Sequence, residues 1–501
     1  MVSQFIKDNM DRLFNASPEF DAQITTLFES HLINPIIYTN MEEWVDYVLV
    51  FDQVIRHVNR HTNKQYTPPD DFIPMCYAKF NEYEDKMDDF QFMFSLMPIR
   101  HTHKYNDVMF VVRKSWKRLE NTNSPQIKKY LEATYMRYIK ISDDMTQLHY
   151  QPHAQFDDII HTILDKRCHP YVPNHINNID IDTMRNYLVN HNIKPSDTII
   201  LSLSGGVDSM VCSYLLHILK QKFIALHINY SNREECHIEE SMLRYWCGYL
   251  NVPLYIRKID EINRPKCMEY NMRNTYEDYT KQVRYSAYLN TASEEDTVFV
   301  MLGHNMDDSI ENIFSNIASS YNLDNLYGMT PYSTQSFRDK HITFLRPLLS
   351  TWKESIYDIA NKASIPFFFD STPSWSQRGK FRDTVMPALT KWNQSFISGL
   401  TRTVDMIRET DKCLSTVINN SIPTFNTIDD VPIETIYWTK KFRYLKINVS
   451  SKSVNEFINK IKLFQKNPHK LVLNVLNKCN LNKDTQIMIV KRSVNIEFIL
   501  P

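Results

Sequence analysis

Two adjacent glycines, Gly205 and Gly206, stand between an apolar run and a helical pattern in a chain of 501 residues that has only seven glycines. Few residues other than glycine enter the left-handed backbone region without strain, so a doubled glycine marks a sharp turn that can admit a close neighbour. The full stretch is Leu201-Ser202-Leu203-Ser204-Gly205-Gly206-Val207-Asp208-Ser209. An apolar strand that ends in two glycines lets backbone N–H groups close around an anion, and the helix that follows adds the partial positive charge of its N-terminus. Ser204 and Ser209 add hydroxyl donors for phosphate oxygens. The same shortage of glycine excludes a Gly-x-Gly-x-x-Gly dinucleotide loop and a Walker-type loop.

The 57 Lys and Arg against 58 Asp and Glu exclude a uniformly basic nucleic-acid coat, and 43% hydrophobic residues suffice for several domain cores. Eight cysteines without a Cys-x-x-Cys pair argue against a disulfide framework or a zinc ribbon and for a reducing compartment. His149, His153, His161, Cys168 and His169 are dense but fit no standard zinc spacing, and read as surface residues. The N-terminus lacks an apolar signal core, and Asp8, Asp11, Glu19 and Asp21 argue against a transit peptide. With no run of about 18 apolar residues, a soluble, cytoplasmic protein without membrane contact is expected.

Residues 1–165 carry helical periodicity, as in Phe14 to Leu32 and Trp44 to Val58, without a motif that assigns a role. Val111 to Arg118 mixes basic residues with Trp116 on a helix, a surface that can touch RNA phosphates or serve as a solvated face. A turn-rich linker at Cys168 to Asn178 opens a lead-in over 166–196. From Thr198 short apolar runs alternate with helical patterns. Thr198 to Leu203, Phe223 to Ile228, Leu254 to Ile259, Thr297 to Leu302 and Pro366 to Phe369 read as buried strands, with Ser209 to Lys220 and Glu234 to Leu250 as helices between them. This predicts an α/β fold with a doubly wound, mostly parallel sheet over 197–390. Residues 391–501 read as helical, then basic α+β. Lys440 to Pro501 holds eleven Lys and two Arg against Glu456, Asp484 and Glu497, a net charge of +10.

A second constellation, Leu302-Gly303-His304-Asn305-Met306-Asp307-Asp308-Ser309-Ile310-Glu311, again joins a strand end to a helix. Its carboxylates and His304 suit a Mg²⁺ that bridges phosphate oxygens and a group that contacts the α-phosphate, although acidic residues in a first helical turn also complement the macrodipole. A third piece follows Phe369-Asp370-Ser371-Thr372-Pro373: Arg378 and Arg382, four apart on one helix face, can grip phosphates with both guanidinium edges.

Ser204 to Ser209 resembles the Ser-Gly-Gly-x-Asp-Ser pyrophosphate loop of the PP-loop ATP pyrophosphatases, a fold of the adenine nucleotide alpha hydrolase type. Gly-His-x-x-Asp-Asp-x-x-Glu is similar to the tRNA-modifying branch of that superfamily, the tRNA(Ile)-lysidine synthases and the tRNA thiolases, the tRNA 2-thiocytidine synthetases among them. Arg346-Pro347-Leu348, Arg284-Tyr285 and Arg378-x-x-x-Arg382 also resemble lysidine synthases. The resemblance implies ATP and Mg²⁺ as cofactors, with Ser204, Gly205, Gly206, Val207, Asp208, Ser209, His227, Gly303 and Arg378 at the nucleotide. It implies Asp208, His304, Asp308 and Arg382 as catalytic residues, with Asp208 and Asp308 toward Mg²⁺. After the second strand, Leu226-His227-Ile228-Asn229-Tyr230-Ser231-Asn232-Arg233 departs from the family's Asp-His-Gly-Leu-Arg type of stretch, and Gly379 stands where Asn is common.

The expected function is a tRNA-modifying ligase that adenylates a tRNA base, releases AMP and pyrophosphate, and joins an amine, lysine in that family. The basic C-terminal region would bind tRNA by its charge. A thiolase needs a persulfide cysteine or a cluster-binding set, and Cys212, Cys236, Cys247 and Cys267 show no such spacing. An ammonia-using relative and a non-catalytic RNA-binding protein that kept the ATP loop remain as alternatives.

Overall fold

The computed structural model describes residues 2–15, 17–138, 147–148, 178–232, 236–319, 326–337, 340–369, 376–418, 424–425, 428–445, 447, 449–466, 477–480, 486–489 and 494–499. The histidine-rich stretch His149 to His169 and the segment Asp370 to Pro373 lie outside them. The chain divides into two compact units. The first is Met1–Gly303, Tyr332–Pro347 and Ile356–Phe369, and the second is His304–Pro331, Leu348–Ser355 and Asp370–Pro501. No helix among the described residues is long and apolar enough to cross a membrane.

The first unit is built on a seven-stranded sheet. Its strands are β1 (Gln147–Leu148), β2 (Ile199–Ser202), β3 (Phe223–Asn229), β4 (Leu254–Lys258), β5 (Phe299–Met301), β6 (Tyr332–Phe337) and β7 (Lys340–Leu345), in the order β1-β4-β3-β2-β5-β7-β6. The inner pairs β2·β3, β2·β5, β3·β4 and β5·β7 are parallel, while β1·β4 and β6·β7 are antiparallel. Helices follow β2, β3 and β4, so the inner strands have cover and read as continuous apolar runs; β3 is buried at all seven positions. Chain order reverses beside β2, whose neighbours are β3 on one side and β5 on the other. Ligands of such sheets bind at that switch point, beyond the carboxyl ends of the strands.

Four of the five expected runs form strands. Pro366 to Phe369 does not: its ordered pairing is an isolated bridge between Phe368 and Gly206, with Phe368 N donating to Gly205 O at 2.9 Å. Pro366 has no N–H for a ladder, and the run is too short to extend past it. The polar edge strand β6 and its partner β7 complete the sheet in place of that run. Within the lead-in, Asn178–Asn190 forms a helix.

The N-terminal helices share one apolar core with the sheet: Phe20, Trp44, Val111 and Tyr135 belong to the same buried cluster as Ile200, Leu226 and Val300. A buried polar relay ties the layers. Trp116 Nε1 donates to Tyr135 Oη at 2.7 Å, and Tyr135 Oη donates to the Glu261 carbonyl at 3.0 Å. The Glu261 carboxylate accepts from Arg257 Nη2 at 2.5 Å and Tyr279 Oη at 2.7 Å.

The helix Tyr105–Thr122 therefore does not offer Val111 to Arg118 as an aromatic and basic RNA surface. Trp116 is buried, Lys114 pairs with Glu84, and Arg118 pairs with Asp89 at 2.9 Å, which leaves Arg113 and Lys117 exposed.

Two buried carboxylate–histidine pairs lie among these helices. His57 Nδ1 is 2.5 Å from Asp21 Oδ1, and His101 Nδ1 is 2.7 Å from Asp52 Oδ1. Burial disfavours the imidazolium and, outweighing the neighbouring carboxylate, holds both histidines below their usual 6.5. Burial alone would raise both carboxyls, but Arg60 and His57 at Asp21, and His101 and Arg56 at Asp52, take them below 3.8. The unfolded chain thus binds more protons than the folded one, first as pH falls through 6.5 and again through 3.8, so both pairs lose stability toward acid. The urea midpoint is expected to fall between about pH 7.5 and about pH 5.5, and His57→Gln with His101→Gln to flatten that slope; an unchanged slope would refute the assignment.

The second unit begins with the helix Met306–Ala318 and ends in an antiparallel sheet of β8 (Thr424–Phe425), β11 (Val494–Ile499), β10 (Gln486–Ile489) and β9 (Asn477–Asn480) in that order. Trp438, Phe442, Phe457 and Ile461 centre its C-terminal core. Two lysines of the basic region lie inside: Lys440 reaches Asp411 at 2.6 Å, and Lys441 is 2% exposed. The outward charge is correspondingly less than the sequence count.

Candidate functional site

The turn after β2 takes its shape from its own residues. Gly205 sits at φ +84°, and a Cβ there would meet the Phe368 ring at 3.2 Å. Ser204 is exposed, and its Oγ lies 3.1 Å from Ser209 Oγ. Ser209 Oγ also accepts from Ser204 N at 3.1 Å and donates to Gly206 O at 3.0 Å, closing the loop on itself. Val207 is buried and starts the helix Val207–Ile218, which places Asp208, half-buried, in the first turn. Gly303, just beyond β5, is where the loop's helix approaches most closely. A Cβ at 303 would stand 3.0 Å from Ser209 N and 3.1 Å from Asp208 C, both backbone atoms that cannot swing aside. Gly303→Ala is expected to cost about 1–3 kcal/mol in strain at the loop and to weaken ATP binding about tenfold; calorimetry showing unchanged affinity would refute this role.

His227 stands apart from this group. It is 3% exposed in β3, and its Nδ1 donates to the Leu203 carbonyl at 2.9 Å. Burial holds its pKa below the usual value, so the ring is neutral and braces the end of β2 from behind. Arg346 is also buried, with Nη1 donating to Ser333 Oγ at 3.0 Å. Tyr285 stacks on Phe337, and Arg284 is half-buried among Tyr230, Tyr285 and Tyr288.

The second unit gathers the other candidates. His304 precedes Asn305, which caps the helix Met306–Ala318 in a reciprocal box: Asp308 N donates to Asn305 Oδ1 at 3.0 Å, and Asn305 N donates to Asp308 Oδ2 at 3.2 Å. Asp308 Oδ1 accepts from Arg378 Nη2 at 2.8 Å and Arg382 Nη2 at 2.9 Å. The Nε atoms of the same arginines reach Glu311, at 2.6 Å and 3.3 Å. Two guanidiniums thus bridge two carboxylates in a neutral, half-exposed square. Phe314 packs on Phe381 and Phe396 and holds the arginine-bearing helices against it. Asp307 serves the backbone instead, accepting from Lys353 N at 2.9 Å.

Glu311 was not singled out by residue type, although it closes the Asp-Asp-x-x-Glu pattern one helical turn after Asp308. Among the described residues, no group of three or more His, Cys, Asp or Glu could hold a metal.

Residues 177–389 match the family described as PP-loop domain. The chain carries a PP-loop domain. Residues 4–161 match a second family, described as a bacterial protein of unknown function, DUF924, which covers the helices where the sequence offered no motif. The tRNA(Ile)-lysidine synthase of Chlamydia muridarum is 29% identical over 252 residues, 48% of this chain and 75% of that protein. The tRNA(Ile)-lysidine synthase of Mycoplasma mycoides is 25% identical over 303 residues, 56% of this chain and 71% of that protein. Among solved structures, the U34-tRNA thiolase NcsA of Methanococcus maripaludis aligns with a TM-score of 0.38 at 19% identity, covering 46% of this chain and 78% of that one. The PP-loop domain resembles that of lysidine synthases, and the range it spans includes the segment Ser204 to Ser209.

Proposed function

We propose that this chain is an ATP-dependent, AMP-forming tRNA-modifying ligase that adenylates a tRNA base and joins an amine, with lysine as the acceptor. The loop Ser204 to Ser209 at the β2/β5 switch point carries this reading, with lysidine synthases among the chain's relatives as support.

The loop fits a phosphate group: Gly205 is in the left-handed region, two serine hydroxyls are paired at its mouth, and Gly303 leaves room beside it. Ser204, Gly205, Gly206, Val207 and Ser209 would hold the pyrophosphate end of ATP through N–H and O–H donors, and Asp208 would hold Mg²⁺. Bound ATP supplies the adenylyl group that activates the base carbonyl oxygen. His227 is a positioning residue that keeps the strand end in register. In the second unit, Asp308 is the other Mg²⁺ candidate, His304 a candidate for the α-phosphate, and Arg378 and Arg382 are guanidiniums for phosphate, held meanwhile by Asp308 and Glu311. Because the Asp308 side chain also accepts from Asn305 N in the capping box, Asp308→Asn is the informative substitution, since Asp308→Ala would remove that bond as well.

The sulfur-transfer reading loses support from the thiols. Cys212, Cys236, Cys247 and Cys267 are all buried, and burial pushes Cys247 and Cys267 up to about 12, away from the thiolate.

The test is release of AMP and pyrophosphate from labelled ATP with Mg²⁺, tRNA and amino acids, each omitted in turn. AMP release that requires both tRNA and lysine is expected. Cleavage with tRNA but without dependence on any amine would overturn the acceptor, and ATP bound without cleavage under every combination would overturn the enzyme.

A further inference from the structure

The N-terminal helices enclose a second polar cluster. The helices Met41–Leu49 and Ile55–Thr62 are joined by a π-helical turn, Val50–Val54, in which Asp52 and Gln53 are buried. Such turns disrupt regular helical bonding and concentrate at functional sites. Asp52 is fully engaged: Oδ1 accepts from Arg56 Nη2 at 2.9 Å and faces His101 Nδ1 at 2.7 Å, and Oδ2 accepts from Gln53 Nε2 at 2.5 Å.

Arg100, at the end of the helix Asp89–Arg100, has no such partner. It is 5% exposed, its Nε makes no hydrogen bond, and it has no ion pair among the described residues. Its guanidinium lies over the Tyr130 ring at 4.7 Å, and the Tyr130 hydroxyl is also buried without a hydrogen bond. Arg137, from the same helix as Tyr130, feels Arg100, Arg56 and Asp52 electrostatically; burial first, then the two arginines, hold its pKa below the usual value. Among the described residues, Arg56, Arg100 and Arg137 thus lie near the carboxylate of Asp52, three positive charges against one, while burial keeps His101 toward its neutral form. A desolvated guanidinium without a carboxylate is costly unless a counter-anion joins it.

We propose that this cluster binds a small phosphate anion, either inorganic phosphate or the phosphoryl end of a phosphomonoester, held by Arg100 and Arg137 with the Tyr130 hydroxyl donating. A dianion matches the charge excess, and guanidinium edges match its oxygens. The burial of Arg100, Tyr130 and His101 excludes a polymer backbone, and Arg56, with its side chain 44% exposed, stands at the rim. The site is separate from the phosphate loop and does not depend on the function proposed for that loop.

Calorimetric titration of the full chain at constant ionic strength tests this with phosphate, glycerol phosphate and acetate. Phosphate binding is expected to weaken about tenfold or more in Arg100→Met, to weaken in Tyr130→Phe, and to persist in Ser209→Ala, which alters the other anion site. Tighter binding of glycerol phosphate than of phosphate would identify a phosphomonoester, and the reverse the free ion. The proposal is overturned by a wild-type protein that binds no phosphate at this site, by acetate binding as tightly as phosphate, or by phosphate binding lost in Ser209→Ala alone. Should Arg100→Met fail to fold, the wild-type titration and Tyr130→Phe, which removes a single oxygen, decide it.

Discussion

Asp208→Ala is expected to lower AMP formation by about 10²–10³-fold or more while leaving the fold intact, because on the proposed function it removes a charge that would meet phosphate or Mg²⁺, and no core volume. Asp208 is half-buried in the first turn of the helix Val207–Ile218, where a carboxylate contributes about 0.3–1 kcal/mol through the helix dipole. That loss is small beside the several kcal/mol that a thousandfold rate effect represents. A catalytic role and a structural role therefore separate cleanly. Rates of AMP release and urea midpoints should be measured on the same preparations. Full activity would remove Asp208 from the site, whereas a large fall in the midpoint would make it a structural residue.

The second large effect is on stability. Glu261→Ala should destabilise the first unit by about 3–5 kcal/mol, because it leaves Arg257 charged and unpaired in the interior. The two side chains are 0% and 1% exposed, and Tyr279 and Asp260 N also donate to the Glu261 carboxylate. Removing both charges is a different experiment. Glu261→Ala with Arg257→Met should recover much of the loss, since the buried cation is then gone as well. If Glu261→Ala costs less than about 1 kcal/mol, the pair is not what holds this part of the core together.

The parts legible from sequence were those dictated by local chemistry. β2, β3, β4 and β5 each fall within a run read as apolar, because strands covered on both faces have little call for polar residues. The polar edge strand Tyr332–Phe337 has no such signature, being mostly exposed, and its place comes from pairing with β7. Val111 to Arg118 left two readings open, an RNA surface and a solvated face. Basic residues beside a tryptophan resemble an RNA surface until Glu84 and Asp89, both earlier in the chain, are found paired with Lys114 and Arg118.

The sequence by itself determined the Ser204 to Ser209 turn and the strand-to-helix joints, since a turn needing left-handed backbone in a glycine-poor chain leaves few placements for Gly205. It also placed Arg378 and Arg382 one helical turn apart. Only the tertiary structure decided what those groups meet: that both arginines bridge Asp308 and Glu311, that Gly303 must lack a Cβ because the backbone of Asp208 and Ser209 passes beside it, and that His227 braces a strand. It alone revealed Arg100, buried without a carboxylate partner among the described residues. Such facts concern charge and volume at a point in space, where residues far apart in the chain converge. Local periodicity carries no record of that convergence.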